Sequence, residues 1–321
     1  KTGTIFDGGF ESMVSDPNPA PDNLTWERVT TYDVGLDADL FNNRLSFSGD
    51  YYVRNTTDLY ITGPEIPATF GASTPQGNYG ALQTRGWELT LSWKDQFKLG
   101  GKDFRYSIKG SLWDSRTWVT KYYNESGSIY NFYEGKELGE IWGFRSDGYF
   151  LSNEEAAAYN AAFPNKYHNY VPQSGPYAGD LRFEDRNNDK QISSGSWTLK
   201  DHGDLERIGN EMPRFQYGIN LGFKYYGFDF SMFLQGVGRQ QWYPCGDCRA
   251  FWGPFARAYE NFVPKDFLSD CWSEDNPNAY FPRPRSYAAY GNTETDEWAE
   301  LSTPNNKYLQ NLAYCRLKNL V

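Results

Sequence analysis

The chain has 321 residues, enough for one large domain or two ordinary ones. Aromatic residues make up 18% of it, yet its mean hydropathy is −0.73 and no apolar run approaches the roughly 18 residues of a transmembrane helix. This composition excludes a helical membrane protein, and the net charge of −10 argues against nucleic-acid binding, which needs clustered Lys and Arg.

Apolar and polar residues alternate with a period of two along much of the chain, which predicts β-strands. The first two predicted strands, 34–40 and 45–53, are joined by FNNR, a sequence typical of short turns. Two further hairpins have short connections at 94–103 and 226–227, and a last strand begins near Leu309. About seven spanning strands are therefore predicted. The strands of the later hairpins are 87–93, 104–112, 217–225 and 228–234.

Long connections, at 54–81, 115–213 and 237–308, alternate strictly with the short ones. An up-and-down membrane barrel has short periplasmic turns and long extracellular loops. A soluble sandwich or barrel shares the strand pattern but has no reason to carry its long loops on one edge only. The strand-like segment 137–150 is placed within an extracellular loop, because one more crossing would put the next short turn on the wrong side. The prediction is an all-β fold, part of a large antiparallel transmembrane β-barrel with long extracellular loops.

The same alternation assigns the two faces of the predicted barrel wall, since successive side chains of a strand point to opposite faces. The apolar series is predicted to face lipid, and the polar series is predicted to line the lumen. Lipid-facing positions are Leu45, Phe47, Tyr51, Trp87, Leu89, Leu91, Tyr217, Ile219, Leu221 and Phe230. Lumen-facing positions are Ser46, Ser48, Asp50, Glu88, Thr90, Ser92, Asn220 and Lys224.

The chain has four cysteines, at positions 245, 248, 271 and 315. The CGDC stretch is half of the pattern of a zinc site, but a second CxxC is lacking and the chain has only two histidines. A loop disulfide or two free thiols explains the pair more simply, and the pairing of the cysteines is left open.

Several longer stretches carry a family resemblance when they are taken in order along the chain. They are NLTWERVTTYDVGLDADLFNNRLSFSGDYYVRNTTDL, RGWELTLSW, GKELGEIWGFRSDGYF, GDLRFEDRNNDKQI, IGNEMPRFQYGINLGFKYYGFDFSMFLQGVG, NPNAYFPR and NKYLQNLAYCRLKNL. In this order they resemble the C-terminal part of the SusC/RagA-like TonB-dependent outer-membrane transporters of Bacteroidetes. The resemblance covers nearly the whole chain.

The resemblance implies a plugged barrel of roughly 22 strands in the cell outer membrane, which imports oligosaccharides or oligopeptides and is not an enzyme. Its implied partners are a SusD-like surface lipoprotein, TonB acting on an N-terminal box, the glycan or peptide substrate and membrane lipid, but no nucleic acid. Residues 1–321 are then expected to form a partial barrel without the N-terminal plug and the last strands. No cofactor is required by this function.

Aromatic residues beside Asp, Asn and Arg in the long loops suit sugars, whose apolar faces stack on rings while their hydroxyls take hydrogen bonds. Peptides would use similar residues. The alternative is that these rings pack the loops against one another or against the lipoprotein. The candidate substrate-binding residues are Tyr133, Trp142, Trp242, Trp252 and Tyr259.

One loop has the opening spacing of a calcium site. Its candidate ligands are Asp185, Asn187 and Asp189, with Asp201 or Asp204 as further oxygen donors. The loop departs from the EF-hand pattern, because Lys190 takes the place of the usual Gly and Ser196 that of the bidentate Glu. Calcium is therefore an optional ligand, and a metal-free Asx turn is the alternative.

A secreted carbohydrate-binding or glycan-degrading all-β protein is the alternative function. Glycoside hydrolysis needs two carboxyl groups that flank the bond, and Glu154, Glu155, Asp201 and Asp204 are available. Their spacing in the sequence cannot show that geometry. The stretch SNEEAAAYNAAFP is better explained as a surface helix capped by Ser152 or the residue after it.

Overall fold

The computed structural model describes residues 24–163 except 65, 68 and 70–72, residues 176–284 except 246–247 and 258, and residues 301–321. Near the start of the chain it also describes the backbone of two short strands that pair with each other. The strands are β1 (Gly3–Phe6), β2 (Gly9–Ser12), β3 (Arg28–Leu40), β4 (Leu45–Thr62), β5 (Gln76–Leu99), β6 (Lys102–Lys121), β7 (Glu140–Gly143), β8 (Ser146–Tyr149), β9 (Leu181–Phe183), β10 (Glu206–Asn210), β11 (Arg214–Tyr225), β12 (Phe228–Arg239), β13 (Gln241–Trp242), β14 (Gln310–Asn311) and β15 (Tyr314–Leu320). The helices are α1 (Asn153–Ala162), α2 (Arg249–Trp252) and α3 (Pro254–Arg257).

A seven-stranded antiparallel sheet dominates the structure, in the order β15-β12-β11-β6-β5-β4-β3. The predicted strands and hairpins are confirmed, although most strands are longer than predicted. The prediction that the last strand begins near Leu309 is wrong: β15 begins at Tyr314, because Gln310 and Asn311 pair with β13 in a separate sheet. The turn predicted at 94–103 is wrong in length: β5 and β6 stay paired up to Leu99 and Lys102, so only Gly100 and Gly101 form the turn. Both glycines have positive φ, 56° and 79°, as a tight two-residue hairpin turn requires.

The register of the sheet separates an apolar face from a polar face across every strand. One apolar row runs Leu40, Leu45, Trp93, Ile108, Leu221, Met232 and Leu320. A row of opposite parity runs Asp37, Ser48, Thr90, Ser111, Gly218, Gln235 and Arg316. Many large side chains of the apolar face are exposed, including Val34, Leu36 and Leu91. Such an extended apolar face is unfavourable in water and suits contact with lipid.

Aromatic side chains gather towards both ends of the apolar face. At the end with the short turns, Phe223 stacks on Phe104 and on Phe230, with ring centroids 5.8 and 4.8 Å apart. Towards the other end, Tyr51 pairs in register with Trp87. Two aromatic bands that flank an apolar band are the pattern of a membrane-spanning sheet, since amphipathic rings favour the two interfaces.

The long connections leave the sheet at the end opposite the short turns. The described parts of two of them, within 122–213 (the first long loop) and 240–313 (the second long loop), are together called the loop unit below. Three short strand pairs, β7–β10, β8–β9 and β13–β14, form inside it and none joins the seven-stranded sheet. The prediction that 137–150 is not a spanning strand is therefore confirmed. Helix α1 also lies here, and the Ser152 side chain accepts a hydrogen bond from the Glu155 amide as its N-cap.

The main hydrophobic core of the described chain lies in the loop unit and not in the sheet. Both long loops contribute to it, and its fully buried side chains include Phe144, Leu181, Phe183, Trp252, Phe255, Leu301 and Tyr308. Among the described residues, no helix is long and apolar enough to span a membrane. The aromatic excess in the composition thus has two origins: rings on the apolar face of the sheet and rings in the core of the loop unit.

Candidate functional site

Hydrogen bonds between the two long loops hold the loop unit together. The Phe144 amide donates to the Pro304 carbonyl at 2.8 Å, and the Ser146 amide donates to the Asn306 side chain at 2.7 Å. The Tyr149 hydroxyl lies 2.9 Å from the Tyr308 hydroxyl in the core. Residues about 160 positions apart in the sequence are therefore fixed against one another.

Two ion pairs lie at the end of the sheet that bears the loop unit, and the second of them joins the sheet to the loop unit. Arg214 at the start of β11 forms a bidentate pair with Asp114 of β6, and both side chains are largely buried. Arg116, two residues further along β6, pairs with Glu137 of the first long loop, with 2.7 Å from Nε to Oε1. A bidentate pair fixes direction as well as distance. The Arg116–Glu137 pair therefore orients the loop unit on β6, and the Arg214–Asp114 pair holds β11 against β6 beside it.

Two of the predicted substrate-binding residues meet at one buried carboxylate. The Tyr133 hydroxyl and the Trp142 indole nitrogen both donate to Glu140, the latter at 2.8 Å. Tyr133 is buried, and burial next to the Glu140 carboxylate raises the pKa of its hydroxyl far above the ordinary value. Trp142 is half-buried and packs on His202. These two rings therefore support the loop unit from within.

The other three predicted aromatic residues differ in exposure. Trp252 is 1% exposed, and its indole nitrogen donates to the carbonyls of Pro244 and Cys245 at 3.2 and 2.9 Å. Trp242 is half-buried in β13 and pairs with β14. Tyr259 is 71% exposed. Of the five, Tyr259 is thus the one whose ring is most available to a ligand.

The structure reveals exposed rings that the sequence reasoning did not single out. Tyr130 stacks on Trp197 with ring centroids 4.8 Å apart, and Tyr130 is largely exposed. Phe262, at 98% exposed, lies near Tyr259 in the sequence and lines an apolar cavity of about 310 Å³ with Phe251, Phe267 and Phe281 among others. These rings also lie in the aromatic-rich long loops, but only the fold distinguishes them from buried neighbours.

The predicted calcium loop is a compact turn in which each carboxylate accepts hydrogen bonds from backbone amides. Asp185 accepts from the amides of Asn188 and Lys190 at 2.7 and 3.0 Å, and Asp189 accepts from Gln191 at 2.7 Å. Asn187 closes the turn by accepting from the amide of Asp189. The three candidate ligands do lie together, and the hydrogen bonds are those of Asx turns.

Asp204 binds backbone amides at both ends of the same loop. Its carboxylate is fully buried and accepts from the amides of Arg186 and Ser193, both at 2.8 Å. Burial raises the pKa of this carboxyl, and the backbone hydrogen bonds offset part of that effect. Among the described residues, no group of three or more His, Cys, Asp or Glu side chains has the arrangement of a metal site. Asp204 therefore acts as a structural acceptor for the loop.

An apolar sheet face, a polar face and a folded unit of long loops at one end together define the wall of an outer-membrane β-barrel protein. The chain belongs to the TonB dependent receptor-like, beta-barrel family, whose model matches residues 2–247. This membership places it in the outer membrane and among receptors rather than enzymes, which confirms the predicted fold class, location and absence of an enzymatic role.

Two similar receptors, from Formosa agariphila and Bacteroides thetaiotaomicron, support the SusC/RagA-like resemblance. A TonB-dependent receptor of Formosa agariphila is 24% identical over 99% of this chain, which covers 29% of that receptor. The TonB-dependent receptor SusC of Bacteroides thetaiotaomicron is 27% identical over 69% of this chain, which covers 20% of SusC. The chain therefore spans less than a third of the length of these relatives.

Solved structures show the same fold. A structure of the RagAB peptide importer in its open-open state superposes with a TM-score of 0.62 at 19% identity, over 93% of this chain and 28% of that chain. A structure of the RagAB peptide transporter gives 0.60 at 21% identity over 99% of this chain and 31% of that chain.

Proposed function

We propose that the full-length protein imports an oligosaccharide across the outer membrane in a TonB-dependent manner, with the loop unit at the outer mouth of its barrel. The observation that carries the proposal is a seven-stranded sheet with one apolar face, joined at one end to a folded loop unit, in a chain similar to SusC. An oligopeptide is the second candidate, favoured by the likeness to the RagAB peptide importer.

Exposed rings of the loop unit support a substrate with stackable faces. The Tyr130–Trp197 pair and Tyr259 offer ring faces at the surface, whereas Trp252 and Tyr133 serve the core. Tyr130 and Tyr259 are therefore the residues proposed to contact substrate. A sugar would stack its apolar face on such rings, and an aromatic or proline-containing peptide would pack on them in a similar way.

A SusD-like surface lipoprotein is the proposed partner over the loop unit. Support comes from exposed apolar side chains of the second long loop, which contact with the lipoprotein would bury: Phe262, Val263 and Leu268. TonB is the proposed source of energy, as the family name implies. Substrate and lipoprotein would then meet at neighbouring parts of one surface.

Calcium is proposed as an optional ligand of the loop that contains Asp185, Asn187 and Asp189. Support comes from three oxygen-bearing side chains held on one turn, since oxygen atoms are the ligands that calcium prefers. The same oxygens already serve backbone amides, so the loop does not depend on the metal for its shape. Calcium would add stiffness to the loop, and transport requires no cofactor.

Growth on defined carbon sources tests the proposed import. A strain without the full-length gene is compared with strains lacking TonB function or the adjacent lipoprotein, each on a panel of oligosaccharides and oligopeptides. The proposal predicts one substrate class that supports growth only when all three proteins are present. Unchanged growth of the deletion strain on every substrate would contradict it, and hydrolysis of a glycan by the purified full-length protein would show that its role is enzymatic.

A matched pair of variants tests the proposed contact surface. Tyr259→Ala removes a ring that is 71% exposed on the loop unit, and Tyr226→Ala removes one that is 70% exposed at a short turn. Loss of one stacking ring is expected to weaken uptake at low substrate concentration by roughly tenfold in the first variant only. Equal behaviour of the two variants would remove Tyr259 from the site.

A further inference from the structure

Two arginines occupy directly opposed positions on the apolar face of the sheet. Arg85 of β5 pairs in register with Arg116 of β6, two residues beyond the pair formed by Trp87 and Asp114. Each arginine is an even number of residues from Leu89 or Leu112 on its own strand, so both side chains lie on the apolar face with those leucines. They lie at the end of the sheet that bears the loop unit. Like charges opposite each other on one sheet face destabilise it, so this pair needs an explanation.

The neighbourhood neutralises one of these two charges. Arg116 forms its bidentate pair with Glu137. Arg85 donates from Nε to the neutral Gln83 side chain at 2.8 Å and has no carboxylate partner among the described residues. The N–H groups of its two terminal nitrogens therefore remain available to donate to a ligand, and the side chain is exposed. One positive charge remains on the apolar face of a chain whose net charge is −10.

An aromatic ring positions both guanidinium groups. The Cζ atoms of Arg85 and Arg116 lie 5.7 and 5.0 Å from the centroid of the Trp118 ring. Stacking of this kind fixes the plane of a guanidinium and limits its freedom before any ligand arrives. The arrangement is thus a pre-ordered donor site and not a pair of mobile side chains.

The position along the strand identifies the occupant. Tyr51 and Trp87 form the aromatic row of this face, and the arginine pair lies in the next row, farther from the apolar band. In a membrane barrel, aromatic rows mark the interface, so the next row lies at the depth of lipid headgroups. Planar guanidinium groups at that depth match phosphate oxygens in charge and geometry.

We infer that Arg85, Trp118 and Arg116 form a binding site for a phosphate-bearing lipid headgroup on the outer surface of the barrel. The phosphate accepts hydrogen bonds from the terminal nitrogens of Arg85 and relieves its repulsion with Arg116. The acyl chains of the lipid lie along the apolar rows that begin at Trp87 and Leu89. This site is separate from the proposed substrate surface of the loop unit.

Native mass spectrometry of the full-length protein in detergent tests the site. The protein is titrated with phosphatidic acid, with diacylglycerol of the same acyl chains, and with inorganic phosphate. The expected result is roughly tenfold tighter binding of phosphatidic acid than of diacylglycerol, as one charge-assisted contact would give. Inorganic phosphate alone is expected to bind weakly, because it lacks the acyl chains.

Arg85→Ala should abolish the preference for phosphatidic acid, and Arg85→Lys should keep part of it because the charge remains. Arg54→Ala is the matched control, since Arg54 is also exposed and stacks on Tyr52 but has the opposite parity on the neighbouring strand. Each variant is accepted only if it shows the heat-resistant migration of a folded barrel. A preference retained in Arg85→Ala, a preference lost equally in Arg54→Ala, or inorganic phosphate binding as tightly as the lipid would overturn the inference.

Discussion

Replacement of Trp252 by alanine tests whether the loop unit has a stabilising core of its own. The indole is 1% exposed and contacts the rings of Phe251, Phe281 and Tyr308, with centroids 4.7, 6.4 and 5.2 Å away. Its nitrogen also donates to two backbone carbonyls. Removing a fully buried Trp costs about 3–5 kcal/mol, which corresponds to roughly two to three and a half powers of ten in an opening equilibrium.

Hydrogen exchange of the full-length protein in lipid nanodiscs measures that opening region by region. Peptides that contain Phe255, Leu301 or Tyr308 should exchange faster in Trp252→Ala by about the calculated factor, since these residues share its core. Peptides from the seven-stranded sheet should be unchanged. Trp26→Ala is the control, because the Trp26 ring is 92% exposed and outside the loop unit. Two results would refute a separate core: loop-unit peptides of Trp252→Ala that exchange as slowly as those of the wild-type protein, or sheet peptides that are accelerated as much as the loop-unit peptides.

Three further predictions concern charged groups. Burial raises the pKa of Asp204, so the folded loop unit holds this proton more tightly than the unfolded chain does. The stability of the loop unit should therefore fall as the pH rises from 3.8, the ordinary pKa, to the raised pKa, and should stay level above it. Hydrogen exchange should show no such pH dependence in Asp204→Asn. Calorimetric titration should show calcium binding that the Asp185→Ala, Asp189→Ala double variant loses, and affinity retained by the double variant would rule the site out. Asp114→Ala should destabilise the pairing of β6 with β11 by about 3–5 kcal/mol, because the largely buried Arg214 loses its bidentate partner and, among the described carboxylates, keeps only Glu137, 4.0 Å away. Faster exchange at the start of β11 would report this loss.

The strand wall could be predicted from sequence because its determinants are local. Alternation alone placed Leu89 and Leu91 on one face and Thr90 on the other, and the register confirms that separation. The turn at 94–103 was predicted too long because charged residues interrupt the apolar–polar alternation at the strand ends. Backbone pairing does not depend on that alternation and continues as far as Leu99. Polar residues are tolerated there because those positions lie beyond the apolar band.

The loop unit could not be predicted in the same way. Its core joins residues of two loops that are far apart in sequence, such as Tyr149 and Tyr308, and no local pattern shows such pairing. Trp252 and Tyr259 stand seven positions apart in one aromatic-rich stretch, yet the first is buried and the second exposed. The sequence predicted which stretches hold aromatic residues suited to a ligand, but their exposure depends on long-range packing.

Lipid accessibility along β5 tests whether this sheet is a membrane wall with one face in lipid. Spin labels are attached in turn to the single variants Glu88→Cys, Leu89→Cys, Thr90→Cys, Leu91→Cys and Ser92→Cys of the full-length protein in liposomes. The protein's own cysteines, including the exposed Cys245 and Cys315, are first replaced by serine so that one position is labelled. Collision with oxygen, which concentrates in lipid, is then measured. High oxygen collision at positions 89 and 91 and low collision at 88, 90 and 92 are predicted. Uniform collision along the strand, or maxima at 88, 90 and 92, would show that the apolar face of the sheet does not lie in lipid.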